Sequence, residues 1–350
     1  MTMNLFFSVT LYTMAALTVA IILSFFYFAH IRKQKRIEKD IRDAYIQKNH
    51  RAWFNFLYRK EPLDKQLLWE NTAELKAIES ILLSYNRNTQ DSVIRDQTQF
   101  FADKYLTEDY QKKLSNRRWS VRMNTLRRVA GFHMTTLNTV LRDMMDKPKS
   151  IDETFTLLQI YQEILPEEFV DQLIKYQDNL SEYQFKQLFI GMSQQIKNML
   201  VPMFQSLNKV GQYAFIDIAG KHPTFSDHYN LMALLDDEDQ EIRIRALKAM
   251  SEGTIISDRE KILSFMDSDI WQERLMVAKI FAKRPISENE TVYRNLIEDP
   301  TWWVRNEAAR VLSLTHNGRA VLRDIMENSD DKYAVDVSRA FLLKTKGGIA

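Results

Sequence analysis

There is no cysteine among the 350 residues. Its absence excludes a disulfide framework, a thiolate nucleophile and any zinc or iron–sulfur centre held by sulfur. Glycine and proline are scarce, at 8 and 7 residues. A turn-rich β protein needs both at its reversals, so the deficit points away from that class. An excess charge of one sign is also missing, because 48 Lys and Arg nearly cancel 46 Asp and Glu to leave a formal +2. There is no global field to draw in nucleic acid, and any electrostatic partner must be read from local clusters. Signatures of chemistry are absent as well. Gly211 and Gly220 stand alone rather than in a phosphate-binding loop, and no serine sits in a nucleophile elbow. Of the six histidines only His222 and His228, with Asp227, lie close together; Pro223 and the spacing fit no helical metal pair. No catalytic residue, cofactor or metal ligand is assigned.

What the chain does contain is apolar residues at helical spacing, 45% hydrophobic overall, enough for one extended helical array or two compact domains. After residues 1–4, Leu5 to Ala29 is a run of 25 uncharged residues. As a helix it would span about 37 Å, enough to cross a hydrocarbon core of roughly 30 Å with some tilt. Phe25, Phe26, Tyr27 and Phe28 crowd its far end, and Arg32, Lys33, Lys35 and Arg36 follow. Interfacial aromatics followed by positive charge predict a transmembrane helix over 5–29 with the short N-terminus outside and the rest cytoplasmic, in a cell membrane. Met1 to Asn4 carry no basic residue and no small-residue cleavage site follows, which argues against a secretory signal.

Residues 30–90 are expected to form a basic juxtamembrane segment and an N-terminal helical cap. Trp53, Phe54, Phe56, Leu57 and Tyr58 are expected either to pack a first helical pair or to rest against the headgroups, Glu61-Pro62 to break the first helix, and Leu67 to Leu83 to make the second. The polar stretch Ser84 to Asp91 is the expected loop or subdomain boundary.

Further on, Asp299 to Leu314 reads as one unit of a repeat. Asp299 is expected to cap a helix, Pro300 to occupy its first turn, and Val304, Ala308 and Leu312 to recur on one face. Arg305 has counterparts at Arg274 and Arg243, at steps of 31, and the next step lands on Asp336. The small or apolar pairs follow in register at Ala246-Leu247, Val277-Ala278 and Ala308-Ala309, as do Met250, Phe281, Leu312 and Leu343. Residues 231–345 are thus divided into four repeats of about 31 residues, and 346–350 are a tail. Upstream, Trp119 to Val129 matches the same unit, with Val121, Arg122 and Leu126 in the places of Val304, Arg305 and Ala309. The remainder of 91–230 is read as divergent units, the alternative being an irregular helical domain.

This pattern resembles HEAT repeats, including the short form of bacterial bilin-lyase-like proteins. The resemblance is specific over 231–345 and fair over 113–130. It implies an all-α, HEAT-like α-solenoid of stacked antiparallel helix pairs, here behind a single transmembrane helix, acting chiefly as a binding surface. By the same resemblance Arg122, Arg243, Arg274, Arg305 and Asp299 join neighbouring units and are structural.

Three residues before Arg122, Arg274, Arg305 and the equivalent Asp336 lies an aromatic, at Trp119, Trp271, Trp302 and Tyr333, with Trp303 adjacent. These are the candidate partner-binding residues, set against their simply sealing the turns. Lys112, Lys113, Arg117, Arg118, Arg127 and Arg128, around Arg122 and with no intervening acid, are candidates for an anionic surface. Asp236, Asp237, Glu238, Asp239 and Glu241 crowd one turn; such a cluster would attract a cation or a basic partner, though capping of helix N-termini is the ordinary use.

The expected protein is a non-catalytic scaffold or adaptor, anchored through 5–29, that binds a membrane-associated protein partner in a synthesis, export or signalling complex. The alternative is a nucleic-acid-binding solenoid using the basic segment and the aromatics. The membrane anchor counts against nucleic acid as the partner. An enzyme subunit would need a convergent acid–base pair, and none is readable.

Overall fold

The computed structural model describes residues 2–89, 91–221, 231–253 and 258–346, without the side chains of 2–10, 66, 345 and 346. His222, Asp227 and His228, the one histidine cluster singled out above, lie outside the described residues, as does the tail from 347. Among the described residues every regular element is a helix. The chain forms two compact units, 1–147 and 148–350.

The first unit is built on α1, which runs unbroken from Thr2 to Arg59. No glycine or proline occurs before Pro62, so nothing interrupts the hydrogen-bond ladder between the apolar run and the cap expected after it. At the usual rise α1 is about 87 Å long. Its described part is long and apolar enough to cross a membrane, and that apolar window is uncovered by the rest of the chain. The helix ends where Lys60 adopts a positive φ of 56° ahead of Glu61-Pro62. Below the apolar run α1 enters the fold, with Tyr45, Trp53, Phe56 and Leu57 all buried. The Trp53 indole N–H donates to the Tyr45 hydroxyl (3.1 Å), which donates to the Leu67 carbonyl (2.5 Å).

Against this end of α1 pack α2 (Thr72–Asn88) and α3 (Ser92–Tyr105), followed by α4 (Thr107–Leu114), α5 (Trp119–Phe132) and α6 (Asn138–Asp146). The polar stretch 84–91 is mostly helix rather than loop. Asn71 caps α2 with bonds to two backbone amides, and the helix runs through to Asn88, with the Asn86 side-chain amide donating to the Gly131 carbonyl at 2.8 Å. Asp91 then caps α3.

The second unit begins with α7 (Ile151–Ile164), α8 (Pro166–Tyr176), α9 (Glu182–Ile190), α10 (Gln194–Leu200) and α11 (Lys209–Lys221). It continues through α12 (Gln240–Glu252), α13 (Arg259–Leu263), α14 (Trp271–Phe281), α15 (Ile286–Ile297), α16 (Trp302–Ser313), α17 (His316–Asn328) and α18 (Lys332–Lys346). Six of these, α9, α11, α12, α14, α16 and α18, pack each on the next in one side-by-side row. The elements before them, single 3-10 turns at 231–236 and 264–267 or full helices α15 and α17, lie against the same row.

Small residues make the row close. Ala246, Ala278, Ala308 and Ala309 are fully buried, and a Cβ on Gly220 of α11 would stand 2.6 Å from the Ala249 Cα of α12. Larger side chains, among them Phe215, Phe281, Tyr293 and Leu312, fill the space behind. Each such side chain contributes roughly 1.5–3 kcal/mol of apolar burial.

One local expectation is corrected. The helix after Pro300 starts at Trp302 with Thr301 at its cap position and no side-chain cap, so Pro300 precedes the first turn. Asp299 instead accepts the Thr301 backbone amide at 2.7 Å within the turn, and its carboxylate is committed to Arg274.

Candidate functional site

The repeated arginines share one local geometry. Arg305 Nη1 donates to the carbonyls of Asp299 (2.6 Å) and Pro300 (2.9 Å), six and five residues earlier. Arg243 does the same to Asp237 and Glu238, Arg122 to Asn116 and Arg117, and Arg274 to Ser268. Each guanidinium thus closes the turn ahead of its own helix, satisfying carbonyls that have no helical partner. In the second unit the remaining fork reaches forward. Arg243 pairs with Glu273 (2.8 Å) and Arg274 with both Asp299 oxygens, while the Arg305 guanidinium lies over the Tyr333 ring at 5.0 Å. Glu298 accepts from the Ser329 hydroxyl at 3.0 Å, adding another link. The turns before α12, α14, α16 and α18 are therefore stitched into one continuous edge.

On that edge stand the aromatics. Trp302 and Trp303 open α16, both more than half exposed at 51% and 57%, with their rings edge to face at 4.7 Å. Tyr333, in the first turn of α18, is 68% exposed, whereas Trp271 at the start of α14 is only partly so. Trp119 opens α5 in the same way and is exposed, but it belongs to the first unit. The structure therefore brings Trp271, Trp302, Trp303 and Tyr333 onto one row and leaves Trp119 with the basic cluster.

That basic cluster is partly spent within its own unit. Lys113 pairs with Asp109 at 2.6 Å, and Arg128 pairs at 3.0 Å with Glu79, a buried carboxylate that also accepts from the Tyr110 hydroxyl (2.6 Å). Burial first, then the neighbouring Glu79 charge, holds the Tyr110 hydroxyl protonated far above its ordinary range. Arg122 is buried. Lys112, Arg117, Arg118 and Arg127 are exposed and have no carboxylate within ion-pair distance among the described residues. These four are the cations available to an outside anion.

The two units carry opposite charge. Residues 1–147 hold 24 basic and 15 acidic side chains, net +9, and residues 148–350 hold 24 and 31, net −7. The near-cancellation over the whole chain conceals this division. The acidic turn at 236–241 is one of several in register. Asp236, Asp267 and Glu298 occupy the same place at steps of 31, with Glu238 and Asp269 two residues further on in their units and Asp330 in the last. All six are exposed; Asp236 is paired with Lys261, and the other five have no cation within ion-pair distance among the described residues. The 31-residue step that revealed the arginines would have revealed this row too.

A separate ion network fastens α9, α11 and α12. Arg245 bonds Glu182 (2.9 Å), Asp217 (2.8 Å) and Glu241 (2.6 Å), and Lys186 bonds Glu182 (2.6 Å) and Asp217 (2.7 Å). Burial pushes the Glu182 carboxyl up, but hydrogen bonds from Lys186 and Arg245 outweigh it and leave the group below its ordinary value. No group of three His, Asp or Glu side chains is arranged to hold a metal ion among the described residues.

No family model matches the chain, and no curated protein matches it. Among solved structures, the crystal structure of an engineered protein aligns over 80% of this chain and 93% of its own, at 15% identity and a TM-score of 0.36. That is too distant to carry an argument about fold or function.

Proposed function

We propose that this protein is a membrane-anchored, non-catalytic scaffold whose stacked helices form a HEAT-like solenoid and hold a protein partner near an inner membrane face. The observation that carries the reading is the exposed pair Trp302 and Trp303, beside Tyr333, on an edge that every neighbouring turn is bonded to hold still. Large apolar rings on a rigid edge give contact area at small entropic cost, which is what a binding hot spot requires.

The anchor supports the same reading. Apolar residues 11–28 of α1 are exposed along their whole length, and Arg32, Lys33, Lys35 and Arg36 follow on the same uninterrupted helix. A hydrocarbon core would cover the first set and cytoplasmic headgroups would meet the second. Lys112, Arg117, Arg118 and Arg127 supply a further cationic surface for anionic lipid, each contributing about 1 kcal/mol where it reaches the headgroups.

A nucleic-acid ligand is disfavoured on the aromatic row. A strand stacking on Trp302 and Tyr333 would lay its phosphates against Asp267, Asp269, Glu298 and Asp330, where like charges repel.

The absence of native cysteine makes topology directly testable. Thr2→Cys and Ser329→Cys variants are treated in intact cells with a membrane-impermeant maleimide. Labelling of T2C at once, and of S329C only after permeabilisation, is the expected result. Labelling of S329C in intact cells would contradict the orientation, and recovery of the chain in the soluble fraction would contradict the anchor.

A further inference from the structure

We infer that the aromatic edge of the second unit takes an extended segment rich in lysine and arginine, supplied by the protein partner. This rests on the scaffold reading and gives it a ligand chemistry. The apolar component is Trp302, Trp303 and Tyr333, exposed on consecutive helices of one packed row. On the turns of the same row stand the carboxylates Glu238, Asp267, Asp269, Glu298 and Asp330, exposed and with no cation within ion-pair distance among the described residues. The cations that belong to the edge are already engaged. Arg243, Arg274 and Arg305 point into their own turns, Lys261 is bonded to Asp236, and Lys209 to Asp239 at 3.2 Å; Lys332, beside Tyr333, is exposed.

Exposed rings attract many ligands, but a carboxylate row on the same series of turns selects the sign. A guanidinium or ammonium gains from both, from the ring face and from the acid beside it. Arg305 already stacks on Tyr333 within the chain, so an arginine–aromatic contact is compatible with this edge. The geometry also sets the form of the ligand. Packed helices lie about 8–10 Å apart, so the turns before α12, α14, α16 and α18 extend over roughly 30 Å. At about 3.3–3.6 Å per residue an extended segment of roughly ten residues covers that length. A compact cation would reach one turn only.

The test uses the full chain in nanodiscs of zwitterionic phosphatidylcholine. A fluorescein-labelled dodecapeptide of alternating arginine and serine is titrated in and followed by anisotropy, with a glutamate–serine peptide as control. Saturable binding of the arginine peptide, weakening steeply with salt, is expected. It should fall at least tenfold in D267N/D269N/E298Q and at least tenfold in W302A/W303A/Y333A. Both variants change exposed side chains, and unaltered helical circular dichroism and urea midpoints show that they fold.

Equal affinity of the tryptophan and tyrosine variant would overturn the inference, because attraction would then be a property of net charge alone. Equal binding of the glutamate peptide, or no saturable binding, would overturn it as well. So would self-association of the chain abolished by the same substitutions, which would make a second copy the occupant. If the peptide fails while a cellular partner still depends on Trp302 and Trp303, the basic segment is wrong and the scaffold reading stands. If the peptide binds and no cellular partner is found, the reverse holds.

Discussion

Arg274 donates through Nε and Nη2 to the two carboxylate oxygens of Asp299, at 2.6 and 3.0 Å, and through Nη1 to the Ser268 carbonyl. One side chain thereby closes its own turn and fixes the next. Both partners are largely removed from water, with side-chain exposures of 12% and 5%. The bidentate bond, then burial opposing it, then the Asp299 charge hold the guanidinium above its already high range.

Removing one partner of such a pair leaves a buried charge uncompensated. Asp299→Ala is expected to cost about 3 kcal/mol of stability in the second unit. Asp336→Ala, at the place of the arginine in the last unit, is exposed and should change stability by no more than about 0.5 kcal/mol. Urea unfolding followed by circular dichroism reads both. Equal effects would mean that the Arg274–Asp299 pair is not a structural link.

Close helix approach gives a second expectation. Gly220→Ala forces a Cβ against the Ala249 backbone at 2.6 Å and should cost about 1–3 kcal/mol. Gly318→Ala, whose Cβ would run into the Leu312 carbonyl, should behave likewise, whereas Gly253→Ala meets only an ordinary contact at 3.5 Å. Unfolding midpoints that shift for G220A and G318A but not for G253A are the expected pattern.

The network at Arg245 predicts a pH dependence. Glu182 lies below its ordinary value when folded, so protons bind it more readily when unfolded. Its contribution is complete above the ordinary glutamate range and is lost as pH falls through the depressed value. The stability of the second unit should therefore drop on acidification through that window, and Glu182→Gln should flatten the drop. Urea midpoints measured as a function of pH check this, and an unchanged slope in the variant would sink it.

Much of this was readable before any coordinates. The 31-residue step exposed the arginines and the buried small pairs because stacked units repeat the same packing problem. The same step sets Trp271, Trp302 and Tyr333 along one edge at the starts of their helices, but which of these rings meets solvent is not legible, since exposure depends on what packs next to each turn. The acidic row went unseen for a simpler reason. Asp236, Asp267 and Glu298 differ in identity and each alone reads as an ordinary capping turn, while only their shared step makes them a surface. The continuity of α1 was likewise hidden by a change of composition at residue 30 that carries no change of backbone.

A charge placed within the apolar run should expose its role. Leu17→Arg adds about 2.5–3.5 kcal/mol to insertion if residue 17 lies near the bilayer centre. The fraction of chain resisting alkaline extraction from membranes should fall, while the double substitution T10A/T18A leaves it unchanged. Full retention of L17R would argue that α1 does not span.

The most direct measurement is proximity labelling in intact cells, with the labelling enzyme fused to the C-terminus of the full chain and compared with W302A/W303A/Y333A. A discrete membrane-associated protein labelled by the native chain and lost with the variant, at equal expression and equal membrane recovery, is the predicted result. An identical set of labelled proteins from both, or salt-sensitive recovery of nucleic acid with no protein lost, would contradict a scaffold that binds through this edge.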